Sequence, residues 1–144
     1  LKPDMSALEI TDAICFDMEK NGPDFICLNY ANTDMVGHTG IFEAAVKATE
    51  TVDQCLSKLI PFLQKNEYEI IIIADHGNSD VMINEDGSPN TAHSVNPVPI
   101  IYVGVNKNVQ IKPGKLGDIA PTILHLMHLN GPDVMTGNNL IQTN

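Results

Sequence analysis

Apolar and polar positions fall into blocks whose period switches between that of a helix and that of a strand. Ile10, Ala13, Ile14 and Met18 recur at helical spacing, and Asn21-Gly22-Pro23 stops that helix. Ser6-Ala-Leu-Glu9, just before, matches a capping box with Ser6 as N-cap, after an extended lead from Leu1 to Met5. Phe25 to Tyr30 (FICLNY) reads as a strand. From about Gly40 a long helical pattern sets Phe42, Ala45, Thr49, Val52, Leu56, Leu59 and Leu63 on one face, and Pro61 is expected to kink or divide it. Four consecutive isoleucines, Ile70 to Ile73, predict a central parallel strand buried on both faces. Asn78 to Pro97 is a polar excursion, a hairpin or a loose loop. Val98 to Val103 is a further strand, with Pro99 at an edge or at its first residues. Leu116 to Leu129 is helical by period, with Pro121 in or near its first turn, and the tail from Asp133 to Asn144 is polar and expected to fray or pack loosely. Strand and helix patterns in alternation predict a doubly wound α/β fold.

Composition narrows the class. A chain of 144 residues holds one domain with a core and is too short for two comfortable ones. With 43% hydrophobic residues the chain reads as soluble and globular, and no apolar run is long enough to cross a bilayer. No signal peptide is visible, and a start at Leu1 fits a piece of a longer product at least as well as a whole one. The net charge of −10 argues against nucleic-acid binding, which needs a basic surface to displace counterions. All 8 basic residues are lysines. Without the planar fork of arginine, an anionic substrate would have to be held by metal ions or by another domain. Cys15, Cys27 and Cys55 lack close spacing and read as small buried hydrophobes in a reducing, cytoplasmic setting.

The chemistry concentrates where apolar strands end. The isoleucine run stops at Asp75-His76-Gly77-Asn78, and an acid beside an imidazole at a strand's carboxyl end suits a metal or catalytic site. The alternative is an Asp75 that caps a turn beside a surface His76. Asp34 and His38, four apart after the FICLNY strand, share a face if that turn is helical. His93 comes from the excursion. Mixed carboxylate and imidazole donors suit Zn, Mn or Fe better than Mg, and two clusters at neighbouring strand ends suggest a pair of ions of the kind used in phosphoryl transfer. His125 and His128, three apart on the last helix, read as partly buried helix residues.

Three motifs then carry a resemblance: Asn32-Thr-Asp34-Met-Val-Gly-His38-Thr-Gly40, Ala74-Asp75-His76-Gly77-Asn78 and Thr91-Ala-His93-Ser94. They resemble, in order, the metal motifs of cofactor-independent phosphoglycerate mutase, of the alkaline phosphatase superfamily. Lys2-Pro3-Asp4-Met5-Ser6-Ala7 and Leu116 to Leu124 are similar to further stretches of that family, whereas phosphopentomutase is less similar around Asp34 to Gly40. The resemblance implies a three-layer α/β/α alkaline-phosphatase-like sheet, mostly parallel, with residues 1–144 as a single partial domain, the metal-binding C-terminal segment of the phosphatase domain. It implies two Mn²⁺ ions, or Zn²⁺ or another divalent ion in the segment. Asp34, His38 and His93 would hold one, and Asp75 and His76 would help to hold the other. The activity implied is interconversion of 3- and 2-phosphoglycerate in glycolysis through a phosphoserine, with the nucleophilic serine and the substrate-gripping arginines outside this segment. It follows that the segment alone is expected to be inactive and that its parent is expected to be monomeric, while removal of neighbouring parts makes self-association of the segment plausible. The other readings are a related two-metal phosphatase or phosphopentomutase, and a stand-alone, non-catalytic metal-binding module.

Overall fold

A computed structural model describes residues 2–105 and 108–143. Leu1, at the head of the expected lead, and Asn144, at the end of the tail, lie outside the described residues. The chain divides into two compact units, one made of Leu1–Phe62 and His76–Pro97, the other of Leu63–Asp75 and Val98–Asn144.

The first unit begins with turns rather than an extended lead. Met5 donates its amide to Lys2 and Ala7 donates to Asp4. Helix α1 (Ala7–Asn21) follows, but the Ser6 side chain makes no capping bond. The Ala7 amide, which a helix start usually leaves unpaired, is met by the Asp4 carbonyl. The helix ends as expected at Gly22, whose φ of 55° lies in the left-handed region. The apolar stripe is rotated from its predicted position: Ala7, Thr11 and Met18 are buried, whereas Ile10 and Ala13 are exposed. Thr11 can sit inside because its hydroxyl donates to the Ala7 carbonyl at 2.7 Å and lies 2.6 Å from the Tyr30 hydroxyl.

Phe25 to Tyr30 forms no strand with any described residue. Its side chains still alternate, with Phe25, Cys27 and Asn29 exposed and Ile26, Leu28 and Tyr30 half-buried. The strand period is present, but a sheet also needs a partner backbone, which period cannot supply. Helix α2 (Asn32–Gly37) then turns the chain, anchored by buried Asn32, whose amide donates to the Pro3 and Asp4 carbonyls.

Helix α3 (Phe42–Lys65) runs unbroken through Pro61. The proline lies in the last turns, where the lost amide bond falls near an end that frays in any case. The face it buries is Ala45, Ala48, Thr51, Cys55 and Leu59, and only the first and last of these were in the predicted stripe. Small side chains and a self-satisfied threonine (Thr51 donates to Lys47 O at 2.8 Å) allow close approach, while Phe42 stays 57% exposed. Of the three cysteines expected inside, only Cys55 is buried; Cys15 is intermediate and Cys27 exposed.

Among the described residues the second unit holds two small sheets. Strands β1 (Ile70–Ile73) and β2 (Ile100–Val103) pair antiparallel, with Ile70 opposite Val103 and Ile73 opposite Ile100. Strands β3 (Val109–Ile111) and β4 (Ile141–Thr143) do the same. Among the described residues no parallel pair is seen, so the expected mostly parallel, three-layer sheet is not what these strands form. An isoleucine run reports apolar surroundings and not the direction of its partner. Direction is set by the connection, and no helix lies between β1 and β2 to make a parallel crossover. The run is also only half-buried, with Ile73 38% exposed.

A 3₁₀ turn (Leu116–Asp118) leads into helix α4 (Ile119–Leu126), shorter than predicted. His128 lies beyond it at φ 57°, and both His125 and His128 are exposed rather than partly buried. The tail does not fray. Leu140 and Ile141 are buried, the Leu140 amide donates to the Thr122 hydroxyl, and the Asn138 amide donates to Asp118. The tail reads as polar because its anchor is a carboxylate far back in the sequence. No helix of the described residues is long and apolar enough to cross a membrane.

Candidate metal centre

The site in the first unit is built from one short helix and one loop. Helix α2 puts Asp34 and His38 four residues apart on one face, so both side chains leave together. His38 Nε2 lies 3.2 Å from Asp34 Oδ1. The excursion returns His93, whose Nε2 is 3.2 Å from the same Asp34 oxygen and 3.1 Å from His38 Nε2. His76 joins at the edge. Its ring stacks on His93 at 3.7 Å between centroids, and its Nε2 is 3.9 Å from Asp34 Oδ1. Four of the five residues singled out from sequence are therefore gathered. Asp75 is not in this set; it is exposed and falls in the second unit, after β1.

The excursion is held by its own polar contacts. Gly77 and Ser94 form an isolated antiparallel bridge, with the Ser94 amide donating to the Gly77 carbonyl at 2.8 Å. This bridge ties the return of the excursion, and with it His93, to the segment that carries His76. Asp80 accepts from the Ser94 hydroxyl and from the Asn96 amide at 2.7 Å, and these bonds, Asn96 first, hold its carboxyl below the usual range. On the other side Gly40, at φ 68°, lies against Pro89 and Thr91, where an added Cβ would come within 2.8 Å of Pro89 Cβ. Only glycine combines that backbone with that approach.

Do these donors fit an ion? Bonds of about 2.0–2.2 Å to nitrogen and oxygen place neighbouring donors about 3.0–3.5 Å apart. The three separations in the cluster, 3.1, 3.2 and 3.2 Å, lie in that range. The tautomer fits too. His38 Nδ1 is 2.7 Å from the Thr91 carbonyl, which can only accept, so Nδ1 carries a proton and Nε2 is the nitrogen turned inward, a lone pair in the neutral ring. One carboxylate and two imidazoles form a donor set suited to a divalent transition ion or zinc. Asp34, His38 and His93 each offer one ligand atom within 4.8 Å of the others.

Sequence reading did not assign roles to Asn78, Asp80 or the Thr91 carbonyl. Asn78 stood in the quoted Asp-His-Gly-Asn motif, which was the available signal. Backbone carbonyls leave no signal in sequence. A surface cavity of about 500 Å³, lined by Phe42, Val46, Thr49, Asp53 and Met82 among others, contains none of the candidate ligands. The donor cluster is an open surface feature instead.

Comparison with known proteins settles the family. Residues 1–131 match the Metalloenzyme superfamily. The chain belongs to that superfamily. Within it, the chain is similar to 2,3-bisphosphoglycerate-independent phosphoglycerate mutases: 53% identical to that of Parabacteroides distasonis over 99% of this chain, and 57% identical to that of Flavobacterium johnsoniae over 98% of it. The chain spans about 28% of the length of these curated relatives. Among solved structures, Leishmania mexicana phosphoglycerate mutase, crystallised at low cobalt concentration, superposes with a TM-score of 0.88 at 28% identity, covering 99% of this chain and 29% of that one. Membership in a metalloenzyme superfamily and the Asp34, His38, His93 geometry together point to a divalent metal.

Proposed function

We propose that this chain supplies the metal-binding part of a phosphoglycerate mutase that interconverts 3- and 2-phosphoglycerate through a phosphoserine. The observation that carries the proposal is the donor cluster of Asp34, His38 and His93, found in a chain more than half identical to such mutases. Asp34, His38 and His93 would hold one divalent ion, Mn²⁺ in this reading. Asp75 and His76 would contribute to a second. Bound metal supplies positive charge that binds phosphoryl oxygens and lowers the pKa of a coordinated hydroxyl.

The chain's own residues prepare that site. The Thr91 carbonyl holds the His38 ring by Nδ1–H, so that Nε2 is the nitrogen turned toward the ion. Asp34 supplies the negative charge that offsets a dication. Asp80, through Ser94, fixes the strand-like return that presents His93. No arginine is available here to grip a phosphate, so substrate recognition belongs to sequence corresponding to the rest of the relatives' length. The 144-residue chain is accordingly expected to show no mutase turnover with added Mn²⁺, in a cytoplasmic enzyme whose catalysis needs the complete polypeptide.

A coupled enolase assay on a mutase polypeptide carrying this chain tests the reading. His38→Ala and Asp75→Ala should each lower kcat/KM by roughly 100-fold or more, since each removes a metal ligand. Wild-type rates in both variants would overturn it, and turnover by the 144-residue chain alone would overturn the division of labour.

A further inference from the structure

We infer that Asn78 is a positioning residue that holds Asp34 in its ligating orientation, with Gly37 as the matching piece that lets it do so; this rests on the metal reading above. Asn78 is only 7% exposed, yet its amide nitrogen is directed at the donor cluster. It lies 2.9 Å from Asp34 Oδ1 and 3.4 Å from His38 Nε2. A carboxylate oxygen only accepts, so the NH₂ group faces it and the amide oxygen faces away. That oxygen is turned toward the bare backbone of Gly37. A Cβ on Gly37 would come 2.1 Å from Asn78 Oδ1 and 3.0 Å from Asn78 Cγ, a position no side chain can share.

Geometry and charge together give the pair its role. Asp34 is half-exposed on a helix of a single turn and a half, where its carboxylate could rotate freely. The buried amide donates to the one oxygen that faces both imidazoles, and so restrains that oxygen toward the shared point. As a neutral donor it adds no charge, and a dication held by one carboxylate and two neutral imidazoles stays net positive and open to an anionic ligand. A donor of this kind to a ligating carboxylate commonly changes metal affinity about 10- to 100-fold.

The test is calorimetric titration of the 144-residue chain with Mn²⁺ and with Co²⁺, using the visible spectrum of bound Co²⁺ as a readout of ligand geometry. Asn78→Ala should weaken both ions about 10- to 100-fold and alter the cobalt spectrum. Gly37→Ala, which leaves Asn78 in place but pushes its amide aside, should reproduce that loss. In the Asn78→Ala background the added methyl still meets Ser79 Oγ, at 2.7 Å, but no longer the amide, so the combined loss of affinity should be smaller than the sum of the two single losses. Unchanged affinity in Asn78→Ala overturns the inference, as does a pair of fully additive effects. A lowered melting temperature of the metal-free variants with the affinity intact also overturns it, since that marks a structural role. Failure of the unaltered chain to bind either ion overturns the metal reading and this inference together, whereas binding by the unaltered chain and equally by Asn78→Ala overturns this inference alone.

Discussion

Asp34 and Asp118 are the same side chain in opposite circumstances. Asp118, in the second unit, is 4% exposed and surrounded by donors. Lys115 Nζ reaches Oδ1 at 2.8 Å, the Asn138 amide reaches Oδ1 at 2.8 Å, and the Lys115 amide reaches Oδ2 at 2.9 Å. Its acceptor capacity is met by the chain, and its carboxyl is held down to about 2, by the Lys115 side chain first and then by the two amides. Asp34, in the first unit, receives one amide from Asn78 and otherwise faces imidazole nitrogens, which are lone pairs wherever the ring proton sits on the other nitrogen. Lone pairs set against a carboxylate repel it unless a proton or a cation lies between. The first aspartate therefore fastens a fold, and the second is poised for a ligand the chain does not itself provide.

The difference is sharpest when each is broken. Removing His38 (His38→Ala) should abolish measurable Mn²⁺ or Co²⁺ binding, at least a 100-fold loss in titration calorimetry, while the metal-free melting curve stays close to that of the parent chain. Asp118→Asn should do the reverse. Both Asp118 oxygens accept, so an amide in their place sets a donor against a donor. The melting temperature should drop by several degrees and the amides of β3 and β4 should lose exchange protection, with metal affinity retained. If Asp118→Asn instead abolished metal binding at full thermal stability, the contrast would be wrong.

Gly40→Ala probes the link between backbone and site. The left-handed φ and the contact with Pro89 both oppose a methyl group, at a cost of about 1–2 kcal/mol. Because Thr91 is the next atom met, at 3.1 Å, and its carbonyl fixes the His38 tautomer, metal affinity should fall with stability. A stability loss with affinity unchanged would separate the two. The smallest effect expected is on pH dependence. The folded-state value of Asp118 is depressed from 3.8 to about 2, so its contribution to stability is complete above about pH 4 and fades as pH falls toward 2. Denaturant unfolding followed between pH 5 and 2 should show this slope in the parent chain and a shallower one in Asp118→Asn.

Much of this was legible along the chain. The isoleucine strand, three of the helices and the stop at Gly22 follow from period and turn residues, and Asp34, His38 and His93 were grouped through the motifs that carry the family resemblance. What was misread has separate causes. The stripes on α1 and α3 were drawn through large apolar residues, but burial went to Thr11, Thr51 and small alanines whose polar groups or size suit close packing. The tail reads as loose because Asp118, its anchor, lies twenty residues upstream of Asn138.

The sequence by itself determined which residues could donate to an ion and which segments could be helix or strand, since both depend on side-chain type and local spacing. Tertiary structure alone decided the direction in which β1 pairs, the inward-facing Nε2 of His38 and the seating of Asn78 against Gly37. Each of these depends on a backbone partner distant in the chain, and neither period nor composition records where that partner will be.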